Sequence, residues 1–278
     1  MKEQHSITER VALVDADSLI YSIGYQTDKL EEDRVFAVKL LRQSVDNILD
    51  GAECSMLELY LGTDTNYRDS IATMKPYKGN RETSNRPQFY RELRAYLVKQ
   101  RGAVLCVGQE AEDVVGIRSY EFDNFDDFVI CHIDKDLDML AGVHYNYRTG
   151  KSYEVDRYQA LRNFYVQLVT GDSVDNIPGL YHQLLIDEDG EAAYKFRYSR
   201  YKSKLIKDLS ELTDELSMWQ HVYGIYKEWG QISKHGIDRI LEIGQLLWLR
   251  REQGELWVHP IDRKFDYITD DIRENKDE

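Results

Sequence analysis

The sequence predicts an α/β fold, a mostly parallel central sheet flanked by helices and followed by a C-terminal helical region. Three observations predict it. Four short apolar runs, Arg10 to Asp15 (RVALVD), Met56 to Leu61 (MLELYL), Ala103 to Val107 (AVLCV) and Phe128 to Asp134 (FVICHID), have the length and composition of buried strands. Segments with helical spacing, Val35 to Leu49 and Gln88 to Lys99, lie between them. After Gly150 the apolar runs stop, and Val155 to Val169, Lys204 to Leu216 and Ile237 to Leu249 read as helices.

Alternation of strand and helix favours a parallel sheet, because each crossover returns the chain to the same edge. The first run is rich in Val and Leu and ends on Asp15. Ligands on such sheets bind beyond the carboxyl ends of the strands. Asp15, Asp64 and Asp134 are expected there. A soft boundary near Gly150 gives residues 1–150 as an α/β core and 151–278 as a helical region, with Asp270 to Glu278 an acidic, frayed tail.

A chain of 278 residues buries a full core without disulfides. Cys54, Cys106 and Cys131 lack the close pairing of zinc or redox motifs and read as core thiols in a reducing compartment. Met1 to Arg10 is polar, and no run approaches the roughly 20 apolar residues that span a bilayer. The expectation is a soluble cytoplasmic protein that makes no use of a membrane.

A net charge of −14 argues against coating nucleic acid by bulk electrostatics. Two basic islands interrupt the acidic background. From Tyr67 to Arg101, Arg68, Lys75, Lys78, Arg81, Arg86, Arg91, Arg94, Lys99 and Arg101 face only Asp69, Glu82 and Glu92. From Tyr194 to Lys207, Lys195, Arg197, Arg200, Lys202, Lys204 and Lys207 alternate with aromatic residues and meet no acid. Lys and Arg there suit phosphates, and Tyr198 or Tyr201 suits stacking; an amphipathic helix face explains the same pattern equally well. Arg68, Tyr77, Arg86, Lys195, Arg197, Arg200, Lys202 and Lys204 are the candidate nucleic-acid contacts.

Five acidic groups stand out: Asp15 and Asp17 in VDADS, Asp64 in GTD, Glu110, Glu112 and Asp113 in EAEDVVG, Asp134, Asp136 and Asp138 in DKDLDML, and Asp172 and Asp175 in GDSVDNIPG. Any one of them reads as a helix cap or solvated turn. Together on one edge of a parallel sheet they repel unless divalent cations neutralise them. Oxygen ligands without matching His or Cys select Mg²⁺, with Mn²⁺ able to substitute. Two ions about 4 Å apart suit in-line displacement at phosphorus. Asp138 reads as structural rather than as a ligand.

The set and order of VDADS, GTD, YKGNR (77 to 81), EAEDVVG, DKDLDML and GDSVDNIPG resemble the 5′-nuclease family, which includes phage flap endonucleases, phage 5′ to 3′ exonucleases and the nuclease domain of bacterial DNA polymerase I. The resemblance covers Val11 to about Gly179. It implies a PIN-like core with a helical arch at 66–101 and a DNA-binding helical region beyond. It implies a two-Mg²⁺ site held by Asp15, Asp64, Glu110, Glu112, Asp113, Asp134, Asp136, Asp172 and Asp175. Lys78 and Arg81 would then be the catalytic cations at the scissile phosphate. The implied partner is DNA with a 5′ end, nick or flap, or an RNA:DNA hybrid, in replication or recombination, in a host cytoplasm if the chain is phage-encoded.

Two departures qualify the likeness. The glycine hairpin that usually follows, and that holds K⁺ and duplex phosphates, is replaced by LYHQLLIDEDGEAA. The arch segment holds only one convincing helix, Pro87 to Arg101, which tilts the reading toward 5′ to 3′ exonuclease activity. Flap endonuclease as the main activity stays open, as do a PIN-type ribonuclease and a dead nucleic-acid-binding relative. A PIN-type enzyme lacks YKGNR and GDSVDNIPG, and a decayed site would be expected to have lost some of its acids.

Overall fold

The computed structural model describes residues 10–81, 86–180, 200–230 and 239–261. Two compact units divide the chain. The first holds Met1–Asn163, Val174–Asn176 and Leu249–Glu255, and the second Phe164–Ser173, Ile177–Trp248 and Leu256–Glu278.

The first unit is built on a six-stranded sheet in the order β3-β2-β1-β4-β5-β6. Its strands are β1 (Val11–Asp15), β2 (Met56–Asn66), β3 (Val104–Gly108), β4 (Phe128–His132), β5 (Gly142–Asn146) and β6 (Lys151–Val155). β1 to β5 run parallel and β6 returns antiparallel beside β5. β1 and β4 are buried at every residue, the signature of strands covered on both faces.

Residues alternate between those faces. Ala12, Val14, Leu59, Leu61, Val129 and Cys131 share one core cluster with α1 (Asp17–Lys29), α2 (Arg34–Gly51) and α4 (Tyr90–Arg101). Their alternates Val11, Leu13, Phe128 and Ile130 are equally buried. α5 (Ala111–Tyr120) packs on β1 to β4 outside that cluster. α2 opens on Asp33, whose carboxylate accepts from Phe36 N at 2.9 Å, and α4 stops at Gly102 in the left-handed region. Between β2 and α4 lie α3 (Arg68–Ile71) and a 3-10 turn, Gly79–Arg81.

β5 and β6 were not anticipated. Their stretches, GVHYN and KSYEV, carry no apolar run; β6 is exposed at all but Val155, as an edge strand can be. The helix expected in the arch is committed elsewhere, because Leu93 and Leu97 seat α4 in the core against α1 and α2.

α6 (Arg157–Thr170) runs from the first unit into the second. The second unit's core is aromatic: Phe164 meets Trp248 and Trp257 at 4.9 and 5.5 Å, and Trp219 meets Trp257 at 5.7 Å. Among the described residues it also holds α7 (200–210), α8 (Glu215–Gly230) and α9 (Ile240–Leu247), and Tyr226 of α8 donates to Leu168 O of α6 at 2.6 Å. β7 (Gly171–Asp172) and β8 (Ile177–Pro178) form a small hairpin. Gly171 has φ +69° with Gly179 N only 2.2 Å from where a Cβ would sit. Gly171→Ala is therefore expected to destabilise the protein by roughly 3 kcal/mol or more, measured by denaturant unfolding.

Candidate metal and nucleic-acid site

The strand order places the topological switch at β1, whose two neighbours β2 and β4 lead away in opposite directions. A crevice forms beyond the carboxyl ends at such a point. In the first unit it is a cavity of about 690 Å³, lined by Asp15, Asp17, Asp64, Glu110, Glu112, Asp134 and Asp175 and by Lys78, Arg81, Arg86, Arg91 and Arg94. That volume is in the range of small-molecule and cofactor sites in general.

Asp15 closes β1 and is 3% exposed. Burial first, and then the neighbouring Asp17, push its carboxyl up to about 7. Asp17 opens α1; its Oδ2 accepts from Gly62 N at 2.7 Å and its Oδ1 lies 3.3 Å from Arg94. A side chain at Gly62 would meet that carboxylate at 2.8 Å, so the glycine is what lets Asp17 reach the main chain. Glu112 is half-buried and its carboxyl is held well above the usual range by burial, then by Glu110 and Asp134. Asp134 caps the 3-10 turn Lys135–Met139, accepting from Asp136 N at 3.0 Å. Asp15, Glu112 and Asp134 thus crowd one wall, with the buried negative charge only partly offset by cations.

The same cavity carries the cations. Lys78 Nζ bonds Glu110 and lies 3.6 Å from Asp175, and Arg81 bonds Asp175 at 2.6 Å. Burial alone would lower the Lys78 ammonium, but Glu110 and Asp175 outweigh it and hold it above its ordinary value. Lys78 sits at φ +52°, a conformation fixed by its N–H donating to Asp175 O at 3.0 Å. Asn176 Nδ2 donates to Pro76 O at 2.8 Å, a second tie between the two motifs. Tyr77 is buried, its hydroxyl 2.8 Å from both Glu110 and Asp175, donating to one of them. That is a bracing role where a nucleic-acid contact was expected.

Two of the expected ligands in the first unit, Asp113 and Asp136, do not line the cavity. Asp113 is fully buried and receives two bonds from Arg68, at 2.5 and 2.9 Å, besides the N–H of Glu110 at 3.1 Å. Arg68 in turn is 1% exposed, which removes it from the candidate nucleic-acid contacts. Asp136 pairs with Lys135 at 3.0 Å and does not line the cavity. Asp172 belongs to the second unit, buried and paired through its main chain with Ile177.

Asp64 is at the rim. A register irregularity between Gly62 and Asn66 swings it out to 92% side-chain exposure, 3.2 Å from Arg86. In α7, Arg200 and Lys204 are exposed and Lys202 half-buried, with Leu205 and Leu209 facing inward. Lys195, Arg197 and the segment that replaces the glycine hairpin lie outside the described residues.

Sequence reasoning missed Asp17 as a candidate ligand, although it named the residue, and it missed Tyr21 and Tyr90. These rings also line the cavity, 5.2 Å apart, with Arg86 4.9 Å above Tyr90. An i, i+4 relation links Asp17 to Tyr21 on α1; nothing in the sequence alone brings Tyr90 beside them.

The carboxylate oxygens that line this cavity are ligands of the kind that hold a hard divalent cation. Among the described helices none is long and apolar enough to cross a membrane. No family model matches the chain, and no curated protein does. Solved structures do. A bacteriophage T5 D15 flap endonuclease, a pseudo-enzyme–product complex with DNA and metal ions, aligns with TM-score 0.48 and 14% identity over 84% of this chain and 99% of that one. A T5 5′-exonuclease with bound zinc aligns with TM-score 0.48 and 17% identity over 84% and 99%. The T5 D15 protein co-crystallised with metal ions gives 0.48 and 13% over 86% and 98%. The chain is thus similar, at low identity, to structures described as T5 flap endonuclease and T5 5′-exonuclease.

Proposed function

We propose that the chain is a Mg²⁺-dependent hydrolase of phosphodiester bonds that works from the 5′ side of nucleic acid, chiefly as a 5′ to 3′ exonuclease on duplex DNA ends or nicks. The observation that carries this reading is that one cavity is lined both by the crowded carboxyls of Asp15, Glu112 and Asp134 and by Lys78, Arg81, Arg86, Arg91 and Arg94. Asp15, Asp17, Glu112 and Asp134 would hold two ions, with Glu110 and Asp175 beside them. Bound there, the ions would supply an acidified water and offset charge on the leaving oxygen.

The protein's own groups do the rest. Lys78 and Arg81 stabilise charge on the phosphate where no carboxylate could, and their bonds to Glu110 and Asp175 hold them in position. Tyr21 and Tyr90 offer a stacking surface for an end base, and Arg86 a phosphate contact above it. Arg200 and Lys204 of α7 are offered to duplex phosphates. The burial of α4 supports exonuclease action over threading of a flap, since that helix is not free to form an arch.

A panel of blunt, nicked, flapped and hybrid duplexes, labelled at either end, tests this with Mg²⁺. Release of labelled mononucleotide from the 5′ end is expected; an intact released flap would make the enzyme an endonuclease, and no cutting at all would end the reading. Lys78→Ala should lower turnover roughly 10²- to 10³-fold while substrate Kd changes little. Equal losses in both would reduce Lys78 to a phosphate anchor.

A further inference from the structure

A second constellation in the first unit lies outside the cavity and needs none of the nuclease reading. His132 ends β4, His144 lies on β5 and Tyr153 on β6; the register sets Ile130 beside His144 and His144 beside Tyr153. Asp138 comes from the 3-10 turn Lys135–Met139. The two imidazoles are 1% and 0% exposed, whereas the Asp138 side chain keeps 29%, so the group is open on that side.

Each ring has one nitrogen on a main-chain carbonyl: His132 Nδ1 on Asp134 O, and His144 Nε2 on Leu140 O at 3.0 Å. A carbonyl only accepts, so both of these nitrogens carry hydrogen. In a neutral ring the other nitrogen is then a bare lone pair. Those two nitrogens, His132 Nε2 and His144 Nδ1, face each other at 2.8 Å. Asp138 Oδ1 stands 3.8 and 3.9 Å from them. The Tyr153 hydroxyl, 3.3 Å from His132 Nε2 and 2.7 Å from Asp138, has one proton for two acceptors. Lone pairs aimed at one another in a buried place require a positive centre between them.

We propose that His132, His144 and Asp138 form a binding site for a divalent transition ion of the zinc class, with Tyr153 beside the fourth position. Ligands about 2.0–2.2 Å from a tetrahedral ion stand roughly 3.3 Å from one another, and the three observed separations bracket that value. Two imidazoles and one carboxylate favour zinc over Mg²⁺. The carbonyls on the outer nitrogens are the partners that fix ring tautomers at metal centres. The ion would clasp the 135–139 turn to β5 and β6, and so steady Asp134, whose carbonyl already receives His132. Its role is structural, and it explains Asp138, which the acidic cavity does not use.

The test uses the full chain, stripped with a chelator and returned to excess Mg²⁺ so that the carboxylate cavity is loaded. On titration with Zn²⁺, about one equivalent should survive gel filtration, and Co²⁺ should give the intense visible bands of a four-coordinate site. His144→Gln and Asp138→Asn should each weaken retention by at least roughly 100-fold, whereas Asp15→Asn should keep it. Should His144→Gln fail to fold, Asp138→Asn at its partly exposed position decides alone. Equal retention by wild type and Asp138→Asn overturns the proposal. So does an imidazole ¹⁵N spectrum that shows a proton shared between the rings and unmoved by Zn²⁺.

Discussion

Asp15→Asn should lower Mg²⁺-dependent turnover roughly 10³-fold and, in the same molecule, raise the melting temperature of the metal-free protein. Loss of a ligand explains the first effect and loss of a poorly compensated buried charge the second. The Asp15 carboxyl is pushed from 3.8 to about 7 by burial and by Asp17, so the folded state favours its protonated form. Stability from that preference is complete below 3.8 and is lost as pH rises through about 7. Three units at about 1.4 kcal/mol each set an upper bound on the order of 4 kcal/mol. Thermal melts between pH 4 and 8 should fall with pH for wild type without metal, and fall less steeply both in Asp15→Asn, where Glu112 still titrates high, and for wild type in Mg²⁺. An Asp15→Asn protein that cuts normally, or melts lower at pH 8, would remove Asp15 from the metal site.

The largest loss of stability is expected at Arg68→Met, which strands the fully buried Asp113 without its two guanidinium bonds. Breaking a buried pair from one side costs about 3–5 kcal/mol, because the remaining charge is uncompensated. Asp113→Ala should cost as much from the other side. Replacing both, as Arg68→Met with Asp113→Leu, should recover most of it. Denaturant unfolding measures all three; single variants within about 1 kcal/mol of wild type would mean the pair is not what holds α3 to α5. Were Asp113 a metal ligand instead, its removal would spare the fold and abolish only activity.

That contrast shows where the sequence stops being readable. β1 and β4 announce themselves because strands covered on both faces must be apolar throughout. β6 needs no such pattern at the sheet edge. Within EAEDVVG, adjacent acids have opposite fates: Glu112 turns into the cavity while Asp113 folds back to the Glu110 N–H and Arg68. Helical spacing groups Glu110 with Asp113, but only tertiary packing says that a buried arginine claims one of them. The facing of His132 and His144 depends in the same way on β4–β5 register, and β5 was not visible in the sequence.

Lys78 occupies a left-handed backbone position in which glycine would be at ease. Lys78→Gly should therefore unfold at higher denaturant than Lys78→Ala, by roughly 1 kcal/mol, although both lack the ammonium. The position gives up conformational comfort for chemistry: its backbone suits glycine, and the lysine there sets an ammonium between Glu110 and Asp175 at the cost of that strain.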